Sequence, residues 1–229
     1  LGHDLGHTPF GHAGEDVLRE CFSPDFAHYK QSLRVVEKLE RDGEGLNLTF
    51  EVRDGIVNHT GKHVAATLEG RIVKFADRIA YINHDIDDAV RAGILDVSDI
   101  PKGISDLLGA THSDRITSLV AATVEHGVEN GIGLVAPYDS AMNELRDFMF
   151  EKVYNSAVAK SEDEKVANMI TFLYEYFVKN VNSVPNEYLK YIEHDGVSTI
   201  VADFIAGMTD RYAIGCFNEL FVPKVWQYK

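Results

Sequence analysis

The sequence predicts an all-α fold, and three observations support that prediction. Apolar residues recur at three- and four-residue spacing over most of the 229 residues, which is the period of a helix that buries one face. Stretches rich in glycine, proline and asparagine interrupt this pattern. Alternation with a period of two is scarce, and only "GLNLTF" (45–50) is a candidate strand. We therefore expect a globular multi-helix bundle of roughly eight to ten helices.

Seven segments carry the helical period. In chain order they cover 13–21, 28–41, 67–93, 114–128, 140–154, 163–180 and 197–220. Between them lie stretches such as "SPDF", "DGEG", "HTGK", "ENGIGLVAP" and "NSVPN", which are typical of loops and turns.

The first seven residues, "LGHDLGH", are expected to be the end of a helix, because neither a cap nor a start signal precedes them. Pro9 prevents that helix from running much further. We therefore expect that a preceding part of the protein is absent from this sequence. The chain is predicted to be one domain over 1–229 that lacks its N-terminal helices, with a metal-site half at 1–130 and a C-terminal helical half at 131–229.

Charge and cysteine content limit the possible partners. A formal net charge of −14 argues against a protein that coats nucleic-acid duplexes, since such a protein needs a basic face. Phosphate ligands are not excluded, because a bound metal ion can supply local positive charge. The two cysteines, Cys21 and Cys216, form neither a disulfide framework nor a metal-ligand spacing. With no signal peptide and no membrane-spanning run, we expect a cytoplasmic protein without membrane contact.

Histidine and carboxylate residues crowd the start of the chain, in "LGHDLGHTPFGHAGE". The neighbouring imidazole and carboxylate of His3 and Asp4 suit a divalent ion such as Mn, Fe, Mg, Ni or Zn. A His–Asp pair on its own is a weak signal for a metal site. His7 follows four residues after His3, on the same face of a helix.

After the turn at "TPFG", His12 is expected at the start of the next helix, with Glu15 in its first turn. Two interpretations of Glu15 stay open. A carboxylate at this position stabilises a helix N-terminus. Alternatively, it orients and charges an imidazole in a His–Glu pair.

A second polar cluster lies in "VKFADRIAYINHDIDD" (73–88). Asp77, Tyr81 and Asp85 are spaced four residues apart and form one stripe on a helix, which Lys74 and Arg78 flank. Apolar residues fill most of the remaining circumference, so this helix is expected to be largely buried. Its polar stripe either faces solvent or lines a pocket.

These motifs resemble those of the HD-domain deoxynucleoside triphosphate triphosphohydrolases, the bacterial dGTPase-like proteins. "HDLGHTPFGHAGE" is similar to the core motif of that family, and "EGRIVKFADRIAYINHDIDDAVRAGIL" is similar to its second metal-site helix. "NELRDFMFEKVY" and "DFIAGMTDRYA" resemble parts of its C-terminal half. The resemblance therefore covers essentially the whole chain.

The resemblance implies a metal site and a set of histidines around it. The metal ligands of the family correspond to His3, Asp4 and Asp77. The histidines that contact the phosphates or the attacking water correspond to His7 and His12. One family ligand has no counterpart, because it is a histidine on a helix upstream of the His–Asp pair. No other histidine of this sequence stands in a position to replace it.

The resemblance also implies the proton and sugar chemistry. Glu15 matches the carboxylate that orients a catalytic histidine, and His28, in "FAHYKQS", matches the histidine that protonates the leaving oxygen. Arg78 matches a cation that contacts the triphosphate. Tyr81 and Asp85 match residues that recognise the deoxyribose.

By resemblance, the reaction is hydrolysis of a deoxynucleoside triphosphate to a deoxynucleoside and inorganic triphosphate, with Mg, Mn, or Fe, Ni or Zn as the divalent ion. A homo-oligomer is expected, and an allosteric nucleotide is possible in such a family. Two other functions stay open. The same metal site serves 5′-nucleotidases and cyclic-nucleotide phosphodiesterases. A nucleotide-sensing or nucleic-acid-binding module with little turnover would carry the same residues.

Overall fold

The computed structural model describes residues 2–225, and the all-α prediction is confirmed. Twelve α-helices and six short 3₁₀ or π-helical turns make up the regular structure of these residues, and none of the described residues forms a strand. No described helix is both long and apolar enough to cross a bilayer. The helices are α1 (His12–Cys21), α2 (His28–Arg34), α3 (Phe50–Val57), α4 (Leu68–Arg91), α5 (Lys102–Leu108), α6 (His112–His126), α7 (Ala136–Met149), α8 (Ala157–Lys179), α9 (Asn186–Leu189), α10 (Ile192–Asp195), α11 (Val197–Ala206) and α12 (Asp210–Phe221).

The segment "LGHDLGH" forms a turn at residues 3–6, so the predicted helix end is wrong. In this turn the His7 amide donates to the Asp4 carbonyl at 3.1 Å. A helix would direct the Gly6 amide to the carbonyl four residues earlier. That amide donates instead to Ser32 Oγ at 2.8 Å. A side chain therefore competes successfully for the backbone, and a turn results.

Two other segments also differ from their predicted form. The candidate strand 45–50 is irregular up to α3, because Asn47 adopts a positive φ of 51° that interrupts an extended chain. The long segment 197–220 is divided into α11 and α12. The division falls where the Thr209 side chain caps α12 by accepting a hydrogen bond from the Tyr212 amide at 3.2 Å.

The chain forms two compact units, which are described separately. Unit 1 comprises Leu1–Val57 and Asp163–Lys229, and unit 2 comprises Asn58–Glu162. These units follow from packing, whereas the halves 1–130 and 131–229 follow from sequence motifs. The division into halves therefore stays a prediction.

The core of unit 1 is built around α11. This helix is mostly apolar, and seven of its ten residues, from Ile200 to Ala206, are buried. A helix that is buried on most sides requires other elements around it. Its neighbours in the core include Leu18 of α1 and Ile170 and Leu173 of α8.

A buried ion-pair network fixes α2 to α11 in unit 1. Asp203 lies on α11 and is buried, with only 2% of its surface exposed. Arg34 donates to its two carboxylate oxygens at 2.7 and 2.6 Å, and Gln31 donates at 2.8 Å. Arg34 also donates to Asp195 at 2.6 Å. Because α2 begins with His28, this network positions the helix that carries His28.

The core of unit 2 lies between α4, α6 and α7. Ile79, Ile82 and Ile86 of α4 are buried, together with Leu119 of α6 and Leu145 of α7. Apolar residues at three- and four-residue spacing on α4 produce this buried face, as the sequence indicates.

The first turns of α4 do not fit the expectation of a largely buried helix. Ile72 is 44% exposed and Val73 is 38% exposed. Ile72 lines an apolar cavity of about 620 Å³ in unit 2, together with Phe75 of α4 and Val120 and Val124 of α6. Helix α4 is therefore buried along one face only.

We predict that Asp203→Ala lowers the free energy of unfolding by about 3 kcal/mol, because it leaves Arg34 and Gln31 without their buried acceptor. The matched control is Glu175→Ala, which removes an exposed i,i+4 pair with Lys179 on α8 and should cost less than about 0.5 kcal/mol. Urea unfolding followed by circular dichroism measures both. Equal effects of the two substitutions would contradict a structural role for the Asp203 network.

Candidate active site

The turn that carries His3 and Asp4 is held in place by α2 and α12 of unit 1. Gly6 packs so closely on α2 that a Cβ atom at this position would lie 2.2 Å from the Ser32 amide nitrogen. Only glycine is possible at such a distance. Further along, the Phe10 amide donates to Asp210 Oδ1 at 2.9 Å. Both anchors are long-range contacts that limit movement of the turn.

Asp4 lies at the centre of three imidazoles. Its carboxylate oxygens are 3.7 Å from His3 Nε2, 4.0 Å from His7 Nε2 and 4.0 Å from His28 Nε2. The predicted ligand pair His3 and Asp4 is therefore brought together. A nitrogen and an oxygen donor side by side suit a borderline divalent ion.

Glu15 organises the histidines from inside the protein. Its side chain is only 1% exposed. One carboxylate oxygen contacts His28 Nδ1 at 2.7 Å and His12 Nδ1 at 3.4 Å. The other oxygen accepts a hydrogen bond from Arg19, which also donates to the Phe26 carbonyl at 3.0 Å. These contacts agree with the second interpretation of Glu15, in which its carboxylate orients imidazoles, and not with a role at the helix N-terminus alone.

These contacts shift the pKa values in opposite directions. Burial raises the pKa of Glu15, but the hydrogen bonds from His12 and His28 and the charges of His28 and Arg19 outweigh it, so the pKa lies well below its usual range. Glu15 is therefore ionised at neutral pH. The hydrogen bond to Glu15 raises the pKa of His12. Burial lowers the pKa of His7, although the charge of Asp4 opposes this shift. The raised pKa of His12 and the lowered pKa of His7 favour one protonated and one neutral imidazole in the same site.

The three histidines His7, His12 and His28 form a compact group. The rings of His7 and His28 are stacked with centroids 4.5 Å apart, and His12 lies 5.5 Å from His7 and 5.7 Å from His28. One ring nitrogen of each lies within 4.8 Å of the others. His28 is buried, whereas the His12 side chain is 78% exposed. The group is thus open to solvent on the side of His12.

The second set of predicted residues lies on α4 in unit 2. Arg78 donates to Asn143 Oδ1 of α7 at 2.6 Å, which fixes its guanidinium. Asp85 accepts a hydrogen bond from the Tyr154 hydroxyl and lines a cavity of about 260 Å³ with that residue. Burial raises the pKa of the Tyr154 hydroxyl, and Asp85 raises it further.

The other two residues of the stripe differ in exposure. Tyr81 is 37% exposed, and Asp77 is partly buried. Asp77, Arg78, Tyr81 and Asp85 belong to unit 2, whereas His3, Asp4 and the histidine group belong to unit 1. The ligand set that joins Asp77 to His3 and Asp4 stays a prediction, as do the roles of the other predicted site residues.

Sequence reasoning did not identify three residues that contact predicted site residues, Arg19, Asn143 and Tyr154, nor Ser32, which holds the His3–Asp4 turn through Gly6. Arg19 was detectable, because it lies four residues after Glu15 on the same helix face. Ser32 lies 26 residues from Gly6, Asn143 lies 65 from Arg78, and Tyr154 lies 69 from Asp85. No local pattern indicates partners at such separations.

Comparison with known proteins identifies the family. The HD domain matches residues 1–82, and the phosphohydrolase-associated domain matches residues 132–219. A deoxyguanosinetriphosphate triphosphohydrolase-like protein of Caldanaerobacter subterraneus subsp. tengcongensis is 46% identical over 99% of this chain and 67% of its own length. The chain belongs to this HD-domain family. Proteins with the same name from Clostridium tetani and Clostridium perfringens are 44% and 43% identical over the whole chain, which covers 69% and 70% of their lengths.

Family membership makes the chain a phosphohydrolase of the metal-dependent HD class. The HD match ends at residue 82 and so includes the His3–Asp4 turn, the histidine group and the first half of α4. The match to the phosphohydrolase-associated domain includes α11 and most of α12. The two matches together therefore contain Glu15 and the ion-pair network that joins α2 to α11.

We predict that Glu15→Gln lowers the pKa of His12, because the carboxylate is the main cause of its increase. Titration of the His Cε1 protons by NMR measures this change, and the pKa of the exposed His63 serves as the control. An unchanged pKa of His12 would show that Glu15 does not determine its protonation.

Proposed function

We propose that this chain hydrolyses a deoxynucleoside triphosphate, such as dGTP, to a deoxynucleoside and inorganic triphosphate. One observation carries the proposal: a buried carboxylate, Glu15, contacts both His12 and His28 beside the His3–Asp4 pair. This arrangement supplies a metal-ligand pair and an oriented proton donor in the same place. The printed names of the relatives, which refer to deoxyguanosine triphosphate, support the choice of substrate.

We propose His3, Asp4 and Asp77 as ligands of one divalent ion, Mg or Mn, or Fe, Ni or Zn in its place. The fit rests on the 3.7 Å separation of His3 Nε2 and Asp4 Oδ2 and on their mixed nitrogen and oxygen donors. When bound, such an ion polarises a phosphoryl oxygen and acidifies a coordinated water.

The proton chemistry is assigned to His28. Glu15 contacts His28 Nδ1, which leaves Nε2, 4.0 Å from Asp4, to face the reacting phosphate. A histidine in this position can donate a proton to the leaving 5′ oxygen, because imidazole is the side chain most often used as a general acid. His7, His12 and Arg78 are assigned to the phosphate chain, where their positive charge stabilises the charge that develops during hydrolysis.

Recognition of the sugar is assigned to Tyr81 and Asp85. The Tyr154 hydroxyl donates to one Asp85 oxygen, so Asp85 is oriented before a nucleotide binds. A pocket that fits closely around C2′ rejects a ribose by steric exclusion and by loss of hydrogen bonds. A cytoplasmic homo-oligomer with an allosteric nucleotide site belongs to the same proposal.

Product identification tests the proposal directly. The purified chain is incubated with each deoxynucleoside triphosphate and Mn²⁺ or Mg²⁺, and the products are separated by ion exchange. Inorganic triphosphate and deoxynucleoside are the expected products. Orthophosphate from nucleoside monophosphates, or hydrolysis of cyclic nucleotides, would replace the proposal with another HD phosphohydrolase activity. Metal-independent binding without turnover would indicate a sensing or nucleic-acid-binding module.

His28→Ala is expected to leave nucleotide binding nearly intact and to reduce kcat by about 10²–10⁴-fold, which is the usual effect of losing a general acid. Steady-state kinetics and equilibrium binding of the nucleotide measure the two quantities. The control is His63→Ala, an exposed histidine in unit 2. A His28 variant that keeps more than half of its rate would show that His28 has only a structural role.

Asp85→Ala and Tyr81→Phe are expected to weaken discrimination between deoxyribonucleotides and ribonucleotides while metal affinity stays unchanged. The loss of one substrate hydrogen bond typically costs about 1 kcal/mol, or roughly fivefold in the ratio of kcat/KM values. Competition between dGTP and GTP measures the ratio. Loss of metal with retained sugar preference would contradict this assignment of the α4 stripe.

A further inference from the structure

The sequence segment "NELRDFMFEKVY" begins with Asn143, a residue to which no role has yet been assigned. Asn143 lies on α7, and its Oδ1 accepts a hydrogen bond from Arg78 Nη2 of α4 at 2.6 Å. The bond joins two helices of the unit 2 core. It also joins the two family matches, because Arg78 belongs to the HD domain and Asn143 to the phosphohydrolase-associated domain. Through this bond, a residue outside the HD domain acts directly on a predicted phosphate contact.

A second hydrogen bond fixes the orientation of the Asn143 amide. Its Nδ2 donates to Asp139 Oδ2 at 3.2 Å, four residues earlier on the same helix. An asparagine amide turned over by 180° exchanges its oxygen and nitrogen. A guanidinium only donates hydrogen bonds, whereas a carboxylate accepts them, so only one orientation of the amide satisfies both neighbours. The amide oxygen is therefore held toward Arg78.

The acceptor of the Arg78 hydrogen bond is neutral, and this distinguishes Arg78 from most other arginines of the chain. A carboxylate contacts each of Arg19, Arg34, Arg53, Arg91, Arg115 and Arg146. Within residues 2–225, the Arg78 side chain has no ion-pair partner and bonds only the Asn143 amide. An amide holds a guanidinium without neutralising it. The positive charge of Arg78 is therefore left for an anion.

This charge acts on the polar stripe of α4. Burial raises the pKa of Tyr81, and the positive charges of Arg78 and Arg146 oppose that rise. Arg78 and Tyr81 are three residues apart on one helix face, which places their side chains side by side. Arg78 is only partly exposed, so solvent screens its charge less than that of a fully exposed side chain. The guanidinium is thus directed to the stripe that carries the predicted sugar contacts.

We propose that Asn143 is a positioning residue, which directs Arg78 to the phosphate chain of the substrate and leaves its charge intact. This inference rests on the proposed function, from which it takes the contact of Arg78 with the triphosphate. One N–H group of Arg78 is used by Asn143, and the others remain for phosphate oxygens, which arginine binds in pairs. A guanidinium that is already oriented loses less freedom when the phosphate binds.

The proposal requires an uncharged acceptor at position 143. An aspartate there has the same length and also accepts a hydrogen bond from Arg78, but it neutralises the guanidinium. An alanine removes the acceptor and adds no charge. If Asn143 only joined α7 to α4, aspartate would be the milder change, because it keeps the bond. If Asn143 preserves the charge of Arg78, aspartate is the more harmful change for phosphate binding. The order of the two variants therefore separates the two roles.

The test measures binding of inorganic triphosphate in the presence of Mg²⁺ by isothermal titration calorimetry. The proteins are the unaltered chain, Asn143→Asp, Asn143→Ala, Arg78→Ala and the double variant Arg78→Ala with Asn143→Asp. The matched control is Asn168→Asp, which makes the same change at an exposed asparagine of α8 whose amide donates to the Glu164 carbonyl. Circular dichroism confirms that each variant is folded.

We expect Asn143→Asp to weaken binding at least about tenfold, because hydrogen bonds to a charged phosphate are worth that much. Asn143→Ala should weaken it less, and Asn168→Asp by no more than about twofold. In the Arg78→Ala background, Asn143→Asp should add no more than about threefold, because no guanidinium remains to be neutralised. The value of kcat/KM for dGTP should fall in the same order as the affinity.

Three results would overturn the proposal. They are weaker binding in Asn143→Ala than in Asn143→Asp, equal effects of Asn143→Asp with and without Arg78, and an unaltered chain that does not bind inorganic triphosphate. The proposed function fails separately. A chain that shows the expected order of affinities but releases no triphosphate from any deoxynucleoside triphosphate contradicts the proposed reaction and supports the role of Asn143.

Discussion

The site depends on one buried negative charge. Removal of a carboxylate from water costs several kcal/mol, and only close partners offset that cost. Glu15 has three such partners, His12, His28 and Arg19, and their contacts keep it ionised. The buried carboxylate also restricts the orientation of its partners. Each histidine that compensates the carboxylate is held with Nδ1 inward, so burial of one charge on α1 determines the orientation of two imidazoles.

Helix α2 connects the contacts of Glu15 to the rest of unit 1. It carries His28 at one end, Ser32 against Gly6 in the middle, and Arg34 on Asp203 at the other end. The His3–Asp4 turn, the proposed proton donor His28 and the central helix α11 are therefore connected through seven residues of one short helix. A displacement of α2 would therefore disturb all three.

The all-α fold and the residues of the histidine group were predictable, because helix period and local motifs are properties of neighbouring residues. The turn at residues 3–6 was not, since it depends on Ser32, which captures the Gly6 amide from 26 positions away. Exposure of Ile72 was not predictable either, because an apolar residue does not reveal whether another helix covers it. The contact of Arg19 with Glu15 was predictable from their i,i+4 spacing. The contacts of Tyr154 with Asp85 and of Asn143 with Arg78 were not, because these pairs are far apart in the sequence.

Unit 2 is inserted into unit 1 in the sequence, and this order has a consequence for synthesis of the protein. All residues of Asn58–Glu162 are contiguous, so unit 2 is complete while the chain is still being made. Unit 1 needs Leu18 beside Ile200, and Phe10 bonds Asp210 across 200 positions. Residues 1–57 are therefore synthesised well before α11, the helix around which the core of unit 1 is built. Such late closure is typical of slow folding and of dependence on chaperones.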